Sequence, residues 1–247
     1  MLRTFVTACV TLLLPARLKP FLLNLLGHRV SRGARIGPCV LVVRRLMMAD
    51  DARVEFGNLV RCRRLVMRRQ SYLDRFNRIS GPLNISLDET AAIGRGNVIY
   101  RAPHPTSIGP AVLRLGRLSK ITSSHLVDCT CSIRMGDYST IAGAGSQLWT
   151  HGYKHASQGP GRYRIDGAID IGDNCYIGSA SVINAGVRLA SRVSVGSHSS
   201  VSRSLLEEGS YVSQRLRHLE PQGDQPSSQL TYVGTNPDGE IVYRKNS

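Results

Sequence analysis

Seven aliphatic residues, Ile165, Ile171, Ile177, Ile183, Leu189, Val195 and Val201, stand six positions apart without a miss. Four residues after each comes a further inward candidate of small or medium size: Ile169, Cys175, Ser181, Val187, Val193, Ser199 and Leu205. Six is not a multiple of the helical period of 3.6, so this pattern does not describe a helix. It is also too regular for ordinary strands joined by turns of varied length. Short strands meeting at corners, each turning one apolar side chain inward, satisfy it. Stacked coils of such strands bury one another's faces, which makes a parallel β-helix. Gly172, Gly178 and Gly196 directly follow repeat positions, where turn geometry favours them.

The period extends over most of the chain. Val30, Ile36, Val42, Met48, Val54, Val60 and Val66 form a second series, Leu87, Ile93 and Ile99 a third, and Met135 and Ile141 keep the register of the first. Between Val66 and Leu87 the register slips, and a break or an excursion is expected around MRRQSYLDRFNRISGP. The resulting division is an N-terminal helical cap or membrane-contacting segment over 1–29, an all-β helix over 30–206, and a C-terminal extension over 207–247. In the extension, polar 218–228 precedes an expected hairpin turning at Asn236-Pro237-Asp238-Gly239.

Charge limits the partners. The net charge of +15 favours an anionic ligand or surface, and ten arginines between Arg44 and Arg78 carry much of it. No aromatic platform or nucleic-acid motif is interleaved with them, so nucleic acid is not the expected partner. The six cysteines show no CxxC pairing and read as reduced thiols in a cytoplasmic protein. At the N-terminus, the apolar run Phe5–Leu14 is too short to cross a bilayer and is interrupted by Pro15 and Pro20. A signal peptide lacks a clear cleavage site after Leu14. An interfacial helix pair, apolar on one side with Arg17 and Lys19 at headgroup level, fits peripheral contact with the inner face of a membrane; a cap on the solenoid end is the other reading.

Residues 149–164, WTHGYKHASQGPGRYR, break the hexads and should project as a loop. The loop holds His151 and His155 with Trp149, Tyr153, Arg162 and Tyr163. Imidazole is a suitable general base near neutral pH, so this loop is the candidate site of chemistry.

The hexads, the Thr150-His151 pair and the following IGDNCYIG (Ile171–Gly178) together resemble the hexapeptide-repeat acyltransferases of the galactoside, maltose and colanic-acid O-acetyltransferase type. That resemblance implies a left-handed parallel β-helix and a homotrimer, with acetyl-CoA as co-substrate and no metal. It puts the catalytic base at His151. SSHLVDCTCSIRMGD corresponds to the coil lining the acceptor pocket, so Ser124, His125 and Asp128, with Trp149, His155 and Arg162, are expected to bind the acceptor or support the base. Tyr176 stands where the family often has Trp beside the thioester, and Ser179, Ala180, Ser197, Ser202 and Arg203 take the donor-contacting positions. Arg203, Arg215 and Arg217 are candidates for the coenzyme A phosphates. The implied reaction is acetylation of a sugar hydroxyl on a sugar or lipid-linked glycan, in bacterial surface polysaccharide synthesis (O-antigen, capsule or exopolysaccharide). An amino-sugar N-acyltransferase is the alternative. A metal-dependent hydratase of the carbonic anhydrase β-helix type, with His125, His151 and His155 as ligands, is the weaker third reading.

Overall fold

In a computed structural model that describes residues 2–104, 107–213, 230–235 and 241–245, the hexads become three flat faces of very short parallel strands. The first face stacks 45–48, 64–67, Asn84–Leu87, Val112–Leu115, Ile133–Met135, Ile169–Ile171 and Arg188–Leu189 on the opening pair Arg29–Val30. The second is a nine-stranded sheet running from Arg35–Ile36 to Gly209–Tyr211. The third stacks 40–43, 59–61, Arg78–Ser80, Val98–Tyr100, Leu126–Asp128, Gln147–Leu148, Val182–Ile183 and Ser200–Val201. This is the left-handed parallel β-helix. Its core is a column of aliphatic side chains on the axis, among them Ile36, Val54, Leu73, Ile93, Ile121, Ile141 and Ile177 from the second face.

All seven companion positions from Ile169 to Leu205 are buried. The glycines after the repeat positions have a different cause from the one expected. Gly172 and Gly178 do not need a left-handed backbone; a Cβ there would lie 2.5 Å from the backbone nitrogens of Ser191 and Ser197 in the next coil. Coils about 4.8 Å apart leave no room for it. The left-handed corners are instead held largely by other residues, including Ser124, Asn174, Ala180 and His198.

Three details of the repeat differ from the sequence reading. Val42 and Val66 are half-buried, while Leu41, Val43, Leu65 and Met67 point inward. Each pair flanks the expected position because Val40–Met48 and Leu59–Met67 are continuous strands that round a corner with two-residue alternation. The segment 67–82 is regular coil with Leu73 and Ile79 buried; the register shifts without a break. The real excursion lies within 101–104 and 107–111, where buried Arg101 donates to the carbonyls of Pro82, Thr130 and Gly109 and clamps its base. Ile165 is 52% exposed, since it belongs to a hairpin outside the coil.

A second ordering element runs beside the aliphatic column. At the corner between the second and third faces, the side chains of Asn58, Asn77, Asn97, His125, Ser146 and Ser181 each accept a backbone N–H from the coil above. Buried N–H groups at corners must find acceptors, and this stack supplies them.

The N-terminal coil has an open edge, which two helices close: Leu2–Leu13 (α1) and Lys19–Leu25 (α2). The Thr11 carbonyl and hydroxyl accept the N–H groups of Cys39 and Leu41, and His28 Nδ1 accepts that of Leu46. Lys19, 1% exposed, donates to the carbonyls of Thr11, Ile36 and Gly37. Replacing Lys19 by Met should strand these carbonyls and lower unfolding free energy by about 2–4 kcal/mol, read by chemical denaturation.

His28 is neutral in this arrangement, with Nδ1 accepting and Nε2 2.9 Å from the Thr7 hydroxyl. Burial, and then the charge of Arg3, lower its pKa from 6.5 to about 4. Because the folded value lies below the unfolded one, protons favour the unfolded chain. Stability from this group is therefore complete above about pH 6.5, falls as pH drops towards 4, and is flat below. Melting temperatures measured across that window should fall less steeply for His28→Gln than for the wild type.

The chain divides into two units, Met1–Ser213 and Gln214–Ser247. In the second, Leu230–Thr235 pairs antiparallel with Ile241–Lys245, with an irregularity between Tyr232 and Gly234. The expected turn at 236–239 lies outside the described residues, as do Arg215, Arg217 and 218–228.

Candidate active site

Where the third face ends and the first begins, the chain leaves the coil as a hairpin, His151–His155 against Arg162–Asp166, and returns at Gly167. The polar, glycine-bearing sequence has no inward aliphatic residue to hold it in the coil, and the strands pair with each other instead. His151 sits at the root of this hairpin, next to the rigid body, and its side chain is 21% exposed.

Beneath it lies Asp128, the last residue of the Leu126–Asp128 strand, with no exposed surface. Its Oδ2 is 2.8 Å from His151 Nδ1 and accepts the Thr150 N–H at 3.0 Å, with the Thr150 hydroxyl at 2.8 Å. Its Oδ1 accepts the Thr130 hydroxyl at 2.7 Å and the Thr130 N–H at 3.2 Å. Burial pushes the Asp128 carboxyl upward, but the hydrogen bonds from His151, Thr130 and Thr150 outweigh it, and the pKa ends below the usual carboxylate value. An ionised carboxylate only accepts hydrogen bonds, so His151 Nδ1 carries a proton and donates it. In the neutral ring Nε2 then keeps its lone pair, and no described residue hydrogen-bonds to that nitrogen. The rings of Trp149 and Tyr153 stand edge-on to the imidazole at 6.2 and 5.9 Å. Trp149 is fixed by its indole N–H to Gln147, and Tyr153 by the Arg162 guanidinium 4.8 Å above its ring.

The arrangement is a base held in one tautomer by a buried acid, on a rigid scaffold. Two contributors were not read from the sequence, Thr130 and Thr150 as ligands of the carboxylate; Tyr100 lies opposite Asp128 in the neighbouring strand. Burial, then the charges of Asp128 and Cys129, raise the Tyr100 pKa. The only sequence signal was Asp-Cys-Thr, with a hydroxyl two residues after the acid.

Other expected residues fall elsewhere. His125 is inside the coil: Nδ1 accepts the Ser146 N–H and Nε2 is 3.0 Å from the Thr122 hydroxyl, so neither nitrogen is free for an acceptor or a metal. His155 is exposed at the far end of its hairpin strand, opposite Arg162. The three-histidine ligand set of the hydratase reading is therefore not formed. No group of three or more His, Cys, Asp or Glu among the described residues is placed to hold a metal. Ser124, Ser179, Ala180 and Ser197 line the opposite edge of the third face, at its corner with the second, where the Ser179 and Ser197 hydroxyls are 3.4 Å apart. Tyr176 is exposed on the second face, between Thr140 and Ser194. Ser202 and Arg203 border a depression near the last coil with Ser199 and Tyr211. Within one chain these residues do not meet His151.

No family model matches the chain. No curated protein matches it. Among solved structures it is similar to the polysialic acid O-acetyltransferase OatWY, at 13% identity over 81% of this chain and 93% of that one, with a TM-score of 0.43. It is also similar to a single-residue mutant of AntD, an N-acyltransferase from Bacillus cereus in complex with dTDP and coenzyme A (15% identity, 79% of this chain and 81% of that one, TM-score 0.37). A third is the polySia-specific acetyltransferase NeuO (14% identity, 74% and 84% covered, TM-score 0.33). These scores are all below 0.5, and the functional reading rests on the residues of this chain.

Asp128→Asn should leave an amide N–H₂ facing the donors of Thr130 or Thr150. Denaturation is expected to show a loss of about 2–4 kcal/mol. At acid pH the wild type should lose stability as Asp128 protonates below the usual carboxylate range, and the variant should lack that component.

Proposed function

We propose that the protein is an acyltransferase moving acetyl from acetyl-CoA to a sugar hydroxyl, with His151 as general base. The observation that carries this reading is the His151–Asp128 pair, in which the partly exposed imidazole makes no hydrogen bond through Nε2 to any described residue. When bound, the thioester supplies the activated acetyl group. His151 Nε2 takes the hydroxyl proton as the acceptor oxygen attacks the carbonyl carbon; Asp128 stabilises the imidazolium, and the same proton then goes to the departing sulfur. No covalent enzyme intermediate is needed. The aromatic edges of Trp149 and Tyr153 give the acceptor sugar apolar walls.

Donor binding is assigned to the opposite corner of the third face. Ser179, Ala180 and Ser197 there leave a low, polar edge suited to the narrow, hydrogen-bonding pantetheine arm, and exposed Arg203 suits a phosphate. That corner and His151 lie at two edges of one face, which favours a homotrimer in which the donor corner of one chain faces the hairpin root of the next. Tyr176 would flank the thioester in that assembly. A sugar or lipid-linked glycan acceptor in bacterial surface polysaccharide synthesis fits the basic surface, and an amino-sugar acceptor would use the same base.

Calorimetric titration of acetyl-CoA into wild type and His151→Ala should show equal binding, with acetyl transfer to a sugar panel reduced about 10³-fold or more in the variant. Asp128→Asn should lower transfer about 10²–10⁴-fold through loss of the tautomer. Absence of donor binding by folded protein would sink the proposal.

A further inference from the structure

Helix α1 is inverted relative to an ordinary surface helix. Its inner face carries Thr7, Val10 and Thr11, and its outer face exposes Leu2, Phe5, Leu12 and Leu13. The cap explains the inner face, because the open coil edge offers backbone groups that hydroxyls and carbonyls must satisfy. Nothing in the fold asks for the outer one. α2 and the residue before it repeat the arrangement: Lys19 and Leu23 are buried, while Leu18, Phe21 and Leu25 are exposed at helical spacing. Phe5 is 67% and Phe21 65% exposed. Contiguous apolar surface of this kind marks a partner face.

Charge identifies the partner. The first 49 residues contain no Asp or Glu and eight Lys or Arg. Arg44, Arg61 and Arg63, all exposed, line a recess of about 380 Å³ beside α1, whose Thr4 forms part of its wall. Among the described residues no helix is long and apolar enough to cross a membrane. An apolar helix face bordered by guanidinium groups fits a bilayer surface, with leucine and phenylalanine among the acyl chains and arginine at the lipid phosphates.

We propose that the outer faces of α1 and α2, with the Arg44–Arg61–Arg63 recess, seat the protein on an anionic membrane. The cap thus has two sides, one closing the β-helix and one holding lipid. This does not depend on the acyl-transfer reading, and its test uses neither donor nor acceptor.

The test is flotation of the full chain with vesicles of phosphatidylcholine alone and with phosphatidylglycerol added. Wild type should float with the mixed vesicles and release as salt rises, but not with phosphatidylcholine alone. Phe5→Glu with Phe21→Glu should weaken binding about tenfold or more, as should Arg44→Glu with Arg61→Glu. Both pairs are exposed, and unchanged melting temperatures would show that they fold. Wild type that ignores phosphatidylglycerol vesicles would overturn the proposal, as would equal binding by the phenylalanine variant. So would loss of an oligomer in that variant, seen by light scattering, with no vesicle binding by the wild type: the face would then join copies of this chain.

Discussion

Everything in this protein depends on coils stacking in register. The contact between successive coils is a backbone ladder on three faces, and a ladder of this kind tolerates only small changes in the number of residues per turn. Gly172 and Gly178 show how close the approach is, since neither position has room for a methyl group. The Asn58-to-Ser181 stack shows the same constraint at a corner, where each coil must present an acceptor to the N–H of the next. Apolar burial drives the collapse, and hydrogen-bond register decides which coil lies on which.

A stack has ends, and its first edge is polar backbone. The chain closes it with helices whose hydroxyls and one buried ammonium face inward. Closing that edge accounts for the inner face of α1 only; the apolar outer face is the surface proposed as a membrane contact. In the same way, the proposed site of chemistry is located where the stack is interrupted. The hairpin at 151–166 departs from a corner, and the buried carboxylate beneath it belongs to the rigid coil. His151 stands at the root of the hairpin, partly exposed, and is held by a group fixed inside the stack.

Much of the fold could be read directly from residue spacing. One inward aliphatic residue per strand is a strong periodic signal, and it identified the strands of 171–201 and their companion positions. It failed at Val42, Val66 and Ile165. At the first two, continuous strands round a corner and alternate by two, which a period of six does not describe. At the third, the period runs by coincidence into a hairpin. The excursion after Arg101 went unseen because this anchor looks like any of the surrounding arginines until its burial is known.

At the site, the sequence alone determined the interruption of the hexads at 149–164, the presence of His151 in it and the repeat that carries it, since these depend on residue type and local pattern. Only the tertiary structure decided which acid meets that histidine. Asp128 is 23 residues upstream and reaches His151 because one coil returns the chain beneath the hairpin. The same stacking withdrew His125, whose place in the sequence suggested a role in binding but whose ring is committed to the coil interior. A repeat pattern specifies which residues point inward. Which side chains meet across coils depends on register and corner geometry, and these are settled only when the coils close on one another.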